Sequence, residues 1–438
     1  MDYLEDFKCI GDQCPDTCCS GMRIFLTSDE LVQIKASAKN KPELLREVET
    51  AFHISQESPR KKEVFGQAKQ APTQFNVYLP NEHQNCHFLD ESKLCRIHKD
   101  LGHEALAHTC AQYPRNFFRI GNRVEASATI ACPEVARLAL KTDNATKMSS
   151  ARPEKDQIYR LTKQIDPQTT VEHYERQYEY VRSFLLEVMN LPHYSLRKKI
   201  FLMLAFSDSI QHIFHLGTVR FDKAELDEAI TLFRSPEVQS SLLTQLDSLH
   251  VPCLPQFEVA RDVFAARRYK SHHQRFNAWF DRTLYRTIAP EHPPEDLFER
   301  RNKYLKLPAS LMHQFGYSKG HQIDLVSRVF NRIAERYLKH YLWIHPFTST
   351  PTLGRYLTLI NLHLLLARFL FISSLDDSKE AQQLTESQIE DQAIGSFQIL
   401  AKVIFHVTDF SLLLEHYLVE QGFLELNRSV ILLPADAQ

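Results

Sequence analysis

From Ala151 onward, apolar residues recur at three- and four-residue spacings rather than in alternation. Tyr178, Val181, Phe184, Leu185 and Val188 share one helical face, the stripe by which an amphipathic helix meets a core. The same period runs through Leu196 to Leu216, Glu225 to Leu246, Phe257 to Thr287, Ile323 to Trp343, Thr352 to Ser373 and Gln383 to Leu426. These stripes predict an all-helical segment. The polar stretch Lys141 to Lys155, with breaker residues up to Pro153, marks its boundary. Residues 1–140 and 153–438 are therefore expected to form separate domains, since 438 residues exceed the roughly 250–300 that one core usually reaches. A further loop is expected at Ser373 to Gln382, and no repeat or low-complexity segment stands out.

The first domain reads differently. Between Cys86 and His98, two short apolar runs flank the polar segment Asp90 to Lys93, which predicts a hairpin bringing Cys86 toward Cys95. A helix over Lys99 to Cys110 should follow and stop before Pro114, because proline disfavours helical geometry in the residue preceding it. A second hairpin is expected around Gly121 and Asn122, with Val124 to Ile130 as its return strand. Pro133 and Glu134 suit the first turn of another helix. The fold class is thus mainly α: a small cysteine-rich metal-binding N-terminal domain with short hairpins, then a larger all-helical domain.

Candidate chemistry concentrates in that first domain. Cys9, Cys14, Cys18, Cys19, Cys86, Cys95, Cys110 and Cys132 all precede residue 133, and only Cys253, between Pro252 and Leu254, lies beyond. Thiols at this density suit a zinc or iron–sulfur centre. Eight could also pair as disulfides, but acidic Met1 to Lys8 lacks the basic start and apolar run of a secretory signal, which favours a reducing compartment. If the chain turns helical at Pro15, Cys14 and Cys18 fall one turn apart and Cys19 points elsewhere. His83, His87, His98, His103 and His108 are substitute ligands, with His98 and His108 first. Cys253 reads as a linker thiol.

Four blocks carry a family resemblance. They are Cys9-x4-Cys14-x3-Cys18-Cys19, then Cys86-x-Phe88-Leu89-x5-Cys95-x-Ile97-His98, then Leu106-x-His108-Thr109-Cys110-x2-Tyr113-Pro114-Arg115, then Ala131-Cys132-Pro133-Glu134-x-Ala136-Arg137-Leu138. In this order they resemble the flagellin lysine-N-methylase family, within a superfamily that shares a zinc- or iron-chelating cysteine domain. Asn302 and Tyr304, interrupted by Lys303, the pair Phe315-Gly316 and the helix Ile394 to Phe405 extend the likeness. The resemblance implies methyl transfer from S-adenosylmethionine to a lysine nitrogen of flagellin in the cytoplasm, before export. It also implies that the eight cysteines hold a metal centre, a [4Fe-4S] cluster or, alternatively, zinc.

Other features narrow the picture. Lys and Arg total 52 against 54 Asp and Glu, a net charge of −2 that leaves no basic footprint for nucleic acid. The most apolar stretch, Leu362 to Leu375, contains His363 and Arg368 and falls short of the roughly 20 residues needed to span a bilayer, so no membrane anchor is expected. The basic run Arg267, Arg268, Lys270 and Arg275, with Arg261, Arg282 and Arg286 nearby, is expected on a solvated helix face. No G-x-G-x-x-G turn exists for the donor, and in a Cys-x3-Cys-x2-Cys pattern starting at Cys14 the third place falls on Gly21. Tyr113, Tyr304, Phe315 and Tyr317 are candidate aromatic walls. Asp90 and Glu91 could hold an incoming lysine or form a solvated turn, and no catalytic residue is assigned. A reading from another class remains, a non-catalytic zinc- or iron-binding interaction module.

Overall fold

The computed structural model describes the chain except residues 22–23, 55–74, 79–84, 144–146, 151–160, 169, 250–252, 269–270, 272, 282–320, 376–383, 406–407 and 435–438. Strand β1 (Ile24–Thr27) passes into helix α1 (Ser28–Ser37) through a reciprocal cap. The Thr27 hydroxyl accepts from the Glu30 N–H and the Glu30 carboxylate accepts from the Thr27 N–H. Helix α2 (Pro42–Ala51) opens on proline and runs into β2 (Phe52–Ile54). Strand β3 (Phe75–Tyr78) lies between β1 and β2, antiparallel to both. Leu26, Ile34, Leu44, Val48, Phe88 and Ile97 fill a small core here.

The hairpin after Cys86 forms as its pattern predicts. Asp90 N–H donates to the Leu94 carbonyl, Arg96 N–H donates to the Phe88 carbonyl, and Lys93 takes φ 61° in the turn. The single helix expected over Lys99 to Cys110 does not form. Its place holds α3 (Arg96–Leu101) and α4 (His108–Gln112), separated by Gly102 at φ 88° and a 3₁₀ turn, because that left-handed backbone ends the first helix. Strands β4 (Arg115–Ile120) and β5 (Arg123–Ala128) make the second hairpin, and β6 (Lys163–Ile165) joins β4 in parallel. Helix α5 (Pro133–Lys141) starts directly after Cys132.

The rest is mostly helical. The stripes resolve into α6 (Tyr178–Met189), α7 (Leu196–Ile210), α8 (Lys223–Arg234), α9 (Pro236–Ser248), α10 (Cys253–Arg268), α11 (Gln274–Phe280), α12 (His321–Ile344), α13 (Leu353–Ser374), α14 (Glu386–Leu400) and α15 (Thr408–Glu420). A π-helical turn, Ala401–Phe405, follows α14. Ser235, capping α9, and Pro236 divide the Glu225 to Leu246 stripe into two helices. The loop expected at Ser373 to Gln382 and the end of the Phe257 to Thr287 stripe lie largely outside the described residues.

One large core joins the two parts of the chain: Tyr3, Phe118, Ile130 and Val135 pack with Phe184, Phe206, Leu362 and Phe397. Helix α5 lies against α14 and α12. Among the described residues one helix, α13, is long and apolar enough to cross a bilayer, extending well N-terminal of the expected stretch; 83% of its most apolar window is buried within the protein. Its His363 meets the Tyr337 hydroxyl at 3.0 Å inside the core.

Candidate functional site

All eight early cysteines line one chamber of about 540 Å³, walled by Phe7, Ile34, Phe52, Phe88, Ile97 and Leu106, with Tyr113 and Arg115 also on it. Its Cys14 to Cys19 wall is not helical. A 3₁₀ turn at Gly11–Gln13 ends in extended backbone at Cys14, and the helix expected from Pro15 does not form. Ser20 bridges Asn85, and Cys86 N–H donates to the Cys19 carbonyl at 2.7 Å. In this irregular backbone adjacent side chains need not diverge. The Cys18 and Cys19 sulfurs lie 4.0 Å apart, and Cys19 also hydrogen-bonds with Cys86 and Cys95. The expected divergence of Cys19 from Cys18 is therefore corrected: Cys19 is the hub of a four-thiol group.

Charge is distributed unevenly over these thiols. Bonds to Cys18, Cys86 and Cys95 raise the Cys19 thiol far above its ordinary range, whereas the Cys19 bond favours thiolate at Cys18 and draws Cys95 down to about 7. The N–H groups of His98 and Ile97, in the first turn of α3, face Cys95 and reinforce that shift. Cys132 is pushed up to about 12 by burial, partly offset by the Val135 and Glu134 N–H groups. Burial also raises Cys14 and Cys110. Cys18 and Cys110 present surface to the chamber while protein encloses their other sides.

None of the eight is joined in a disulfide. A tetrahedral zinc with Zn–S bonds of about 2.3 Å sets its sulfurs roughly 3.8 Å apart, near the Cys18 to Cys19 spacing. Among the described residues, however, no three His, Cys, Asp or Glu groups are drawn together tightly enough to hold one ion. The donor set fits a thiolate centre in its chemistry, and its sulfurs face a chamber wider than a closed single-ion cage.

The remaining candidates separate by position. His98 and His103 line the chamber. His87 faces Glu47 at 3.7 Å and His108 faces Glu30 at 3.6 Å. Asp90 accepts from Leu94 N–H and from Lys99, which makes it a turn cap, and Glu91 is exposed. His83, Asn302, Tyr304, Phe315 and Tyr317 lie outside the described residues, as does the Cys253 side chain. The expected solvated basic face is corrected. Arg261 and Arg267 are buried, with Arg261 paired to the adjacent Asp262, whereas Arg267, donating to the Val403 carbonyl at 2.5 Å, and Arg275, donating to Gln398, tie helices together.

Sequence reasoning missed one constellation. Asp16, between Cys14 and Cys18, is buried and bonded to residues far along the chain. One carboxylate oxygen accepts from Lys402 Nζ at 2.5 Å, and the other accepts from Gln398 Nε2 at 2.8 Å and His273 Nε2 at 2.9 Å. His273 Nδ1 accepts from the Phe276 N–H, so the ring proton sits on Nε2 and points at Asp16. Burial pushes the Asp16 carboxyl up, but its His273 bond and the Lys402 charge outweigh this and hold it well below the usual carboxylate range. The available signal was Lys402 itself, a cation between Ala401 and Val403 in an apolar run.

A model of the FliB lysine N-methylase C-terminal domain matches residues 182–432. The chain belongs to the FliB lysine N-methylase family. The lysine-N-methylases of Salmonella typhimurium (strain LT2) and Salmonella choleraesuis (strain SC-B67) are each 27% identical to it over 248 residues, 56% of this chain and 53% of theirs. The flagellar biosynthetic protein FliU of Salmonella muenchen is 31% identical over 150 residues, 34% of this chain and 80% of its own length. The chain thus spans about half the length of the lysine-N-methylases it matches. No solved structure matches it. His273, Gln398 and Lys402 fall inside the FliB-matched segment, and the eight chamber cysteines fall outside it.

Proposed function

We propose that this FliB-family protein transfers a methyl group from S-adenosylmethionine to a lysine side chain of flagellin, in the cytoplasm, with its cysteine wall holding a metal centre. The centre is a [4Fe-4S] cluster, or else zinc. On this reading residues 1–140 are the metal-cluster domain and 153–438 the helical domain. The carrying observation is that thiols from separate stretches of the chain converge on one largely apolar chamber. The names lysine-N-methylase and flagellar biosynthetic protein, borne by relatives, support the lysine and the flagellar substrate.

Cys18, Cys19, Cys86 and Cys95 are the first ligand set, with Cys110 nearby, and Cys9, Cys14 and Cys132 line the remainder. When bound, such a centre cross-links these stretches and tunes the electronics of the chamber. The protein's own groups do the rest. A lysine ammonium has no lone pair and an ordinary pKa of about 10.4, and desolvation lowers that value. Phe52, Phe88 and Leu106 supply a water-poor wall, and aromatic faces attract a sulfonium cation. Burial holds the Tyr113 hydroxyl protonated, so it can donate a hydrogen bond but is no base. Asp16, held ionised by three donors, is also a poor proton acceptor.

The test is to incubate anaerobically purified protein with flagellin and S-adenosylmethionine and to measure lysine mass shifts alongside bound iron and zinc. Methylated lysines with stoichiometric metal support the reading. Metal without transfer points instead to the interaction module, and a colourless zinc protein that transfers methyl groups replaces the cluster with zinc.

A further inference from the structure

The chamber wall carrying Cys14, Cys18 and Cys19 has little regular secondary structure, yet its backbone position sets where three thiols point. Local hydrogen bonding is sparse: Cys14 N–H donates to the Gly11 carbonyl and Cys19 N–H to the Thr17 hydroxyl. The strong contacts come from the other end of the chain. Lys402 Nζ bridges Asp16 and the Thr17 carbonyl, the latter at 2.8 Å. Gln398 Nε2 reaches the Ala131 carbonyl at 3.0 Å as well as Asp16, so it fixes the residue before Cys132 by the same bond set.

The supply side of these bonds is also built for the purpose. Gln398 is the third-last residue of α14, and Lys402 lies in the π-helical turn that follows. Such a turn widens the helix, shifts the facing of its side chains and leaves carbonyls to be satisfied elsewhere. Arg267 meets this need at Val403. Lys402 is directed at the cysteine loop although burying an ammonium is unfavourable unless it is paired.

We infer that Asp16, Lys402, Gln398 and His273 form a positioning clamp, through which the π-helical turn fixes Cys14, Cys18, Cys19 and Cys132 relative to the Cys86 to Cys110 wall. The clamp deepens the proposed function by giving the FliB-matched helices a part in shaping the site. It does not need methyl transfer to be seen.

The test uses the full chain, as purified and again after chelation, and follows alkylation of each cysteine by peptide mass spectrometry. In Lys402→Met, labelling of Cys14, Cys18 and Cys19 rises roughly tenfold, the factor that corresponds to about 1.4 kcal/mol of easier local opening. Cys110, on α4, stays within about twofold, as expected of a separate local unit. Gln398→Leu adds Cys132 to the labelled group. The double variant Asp16→Asn/Lys402→Met leaves no unpaired buried charge and labels no faster than Lys402→Met, because the ion pair is already lost in the single variant and the amide oxygen can still accept from Gln398 and His273. Should Lys402→Met fail to fold, this double variant gives the reading by itself. A uniform rise over all eight thiols, no rise, or additive effects overturn the clamp. If wild-type protein leaves flagellin unmethylated while the selective pattern holds, the function falls and the clamp stands; transfer with uniform labelling does the reverse.

Discussion

Arg182 enters the core fully charged, and its surroundings account for its stability there. Its guanidinium makes two bonds to Glu125, at 2.7 and 2.8 Å, and lies 4.2 Å from the Trp343 ring centre and 4.8 Å from that of Tyr178. Removing one partner strands a desolvated charge, so Glu125→Ala should lower unfolding free energy by about 3–5 kcal/mol, read from urea midpoints. Glu125→Ala/Arg182→Met should lose less. His340 is the opposite case, a histidine kept neutral. Burial lowers its pKa from 6.5 to about 3, and while its Nε2 meets the Tyr3 hydroxyl, its Nδ1 has no hydrogen-bond partner among the described residues. The unfolded chain therefore binds the extra proton first. Its contribution to stability is complete above pH 6.5 and is lost as pH falls from 6.5 toward about 3, by up to about 1.4 kcal/mol per pH unit. His340→Gln should flatten the fall in urea midpoint between neutral and mildly acidic pH; an unchanged slope would refute this.

Elements show where local pattern decides and where distant contacts override it. Helices α6, α7, α12 and α13 were legible because their apolar stripes face the core that buries them. The two hairpins were legible from their turn residues. The helix through Cys14 and Cys18 was expected from Pro15, but Asp16 is held by Lys402, Gln398 and His273, and these contacts prevail over local propensity. With that helix gone, the reason for separating Cys19 from Cys18 disappears. Nothing in the period of Arg267 or Arg275 reveals a carbonyl or amide hundreds of bonds away that turns a basic face inward. Gly102 stands between these cases. At φ 88° and ψ 174° it holds a conformation that other residues rarely adopt, while no neighbouring atom lies within 4 Å of an added Cβ. Gly102→Ala should thus cost about 1–3 kcal/mol through backbone strain alone. Differential scanning calorimetry should show the loss, together with faster alkylation of Cys110 on α4; an unchanged melting profile would contradict it.

At the scale of the molecule, the early and late parts of the chain close on one another. Met1 and Tyr3 sit in the core built by the helices, and α5 packs against α14. Asp16 and Lys402 are 386 positions apart in sequence. Synthesis proceeds from the amino end, so the first thiols leave the ribosome long before the lysine that anchors their loop has been made. Until α14 and its widened turn emerge, the loop carrying Cys14, Cys18 and Cys19 lacks the contacts that hold it in place. A polypeptide that stalls short of its final helices should therefore leave Cys14, Cys18 and Cys19 unanchored, while the hairpin from Cys86 to Cys95 is already closed by its own backbone bonds.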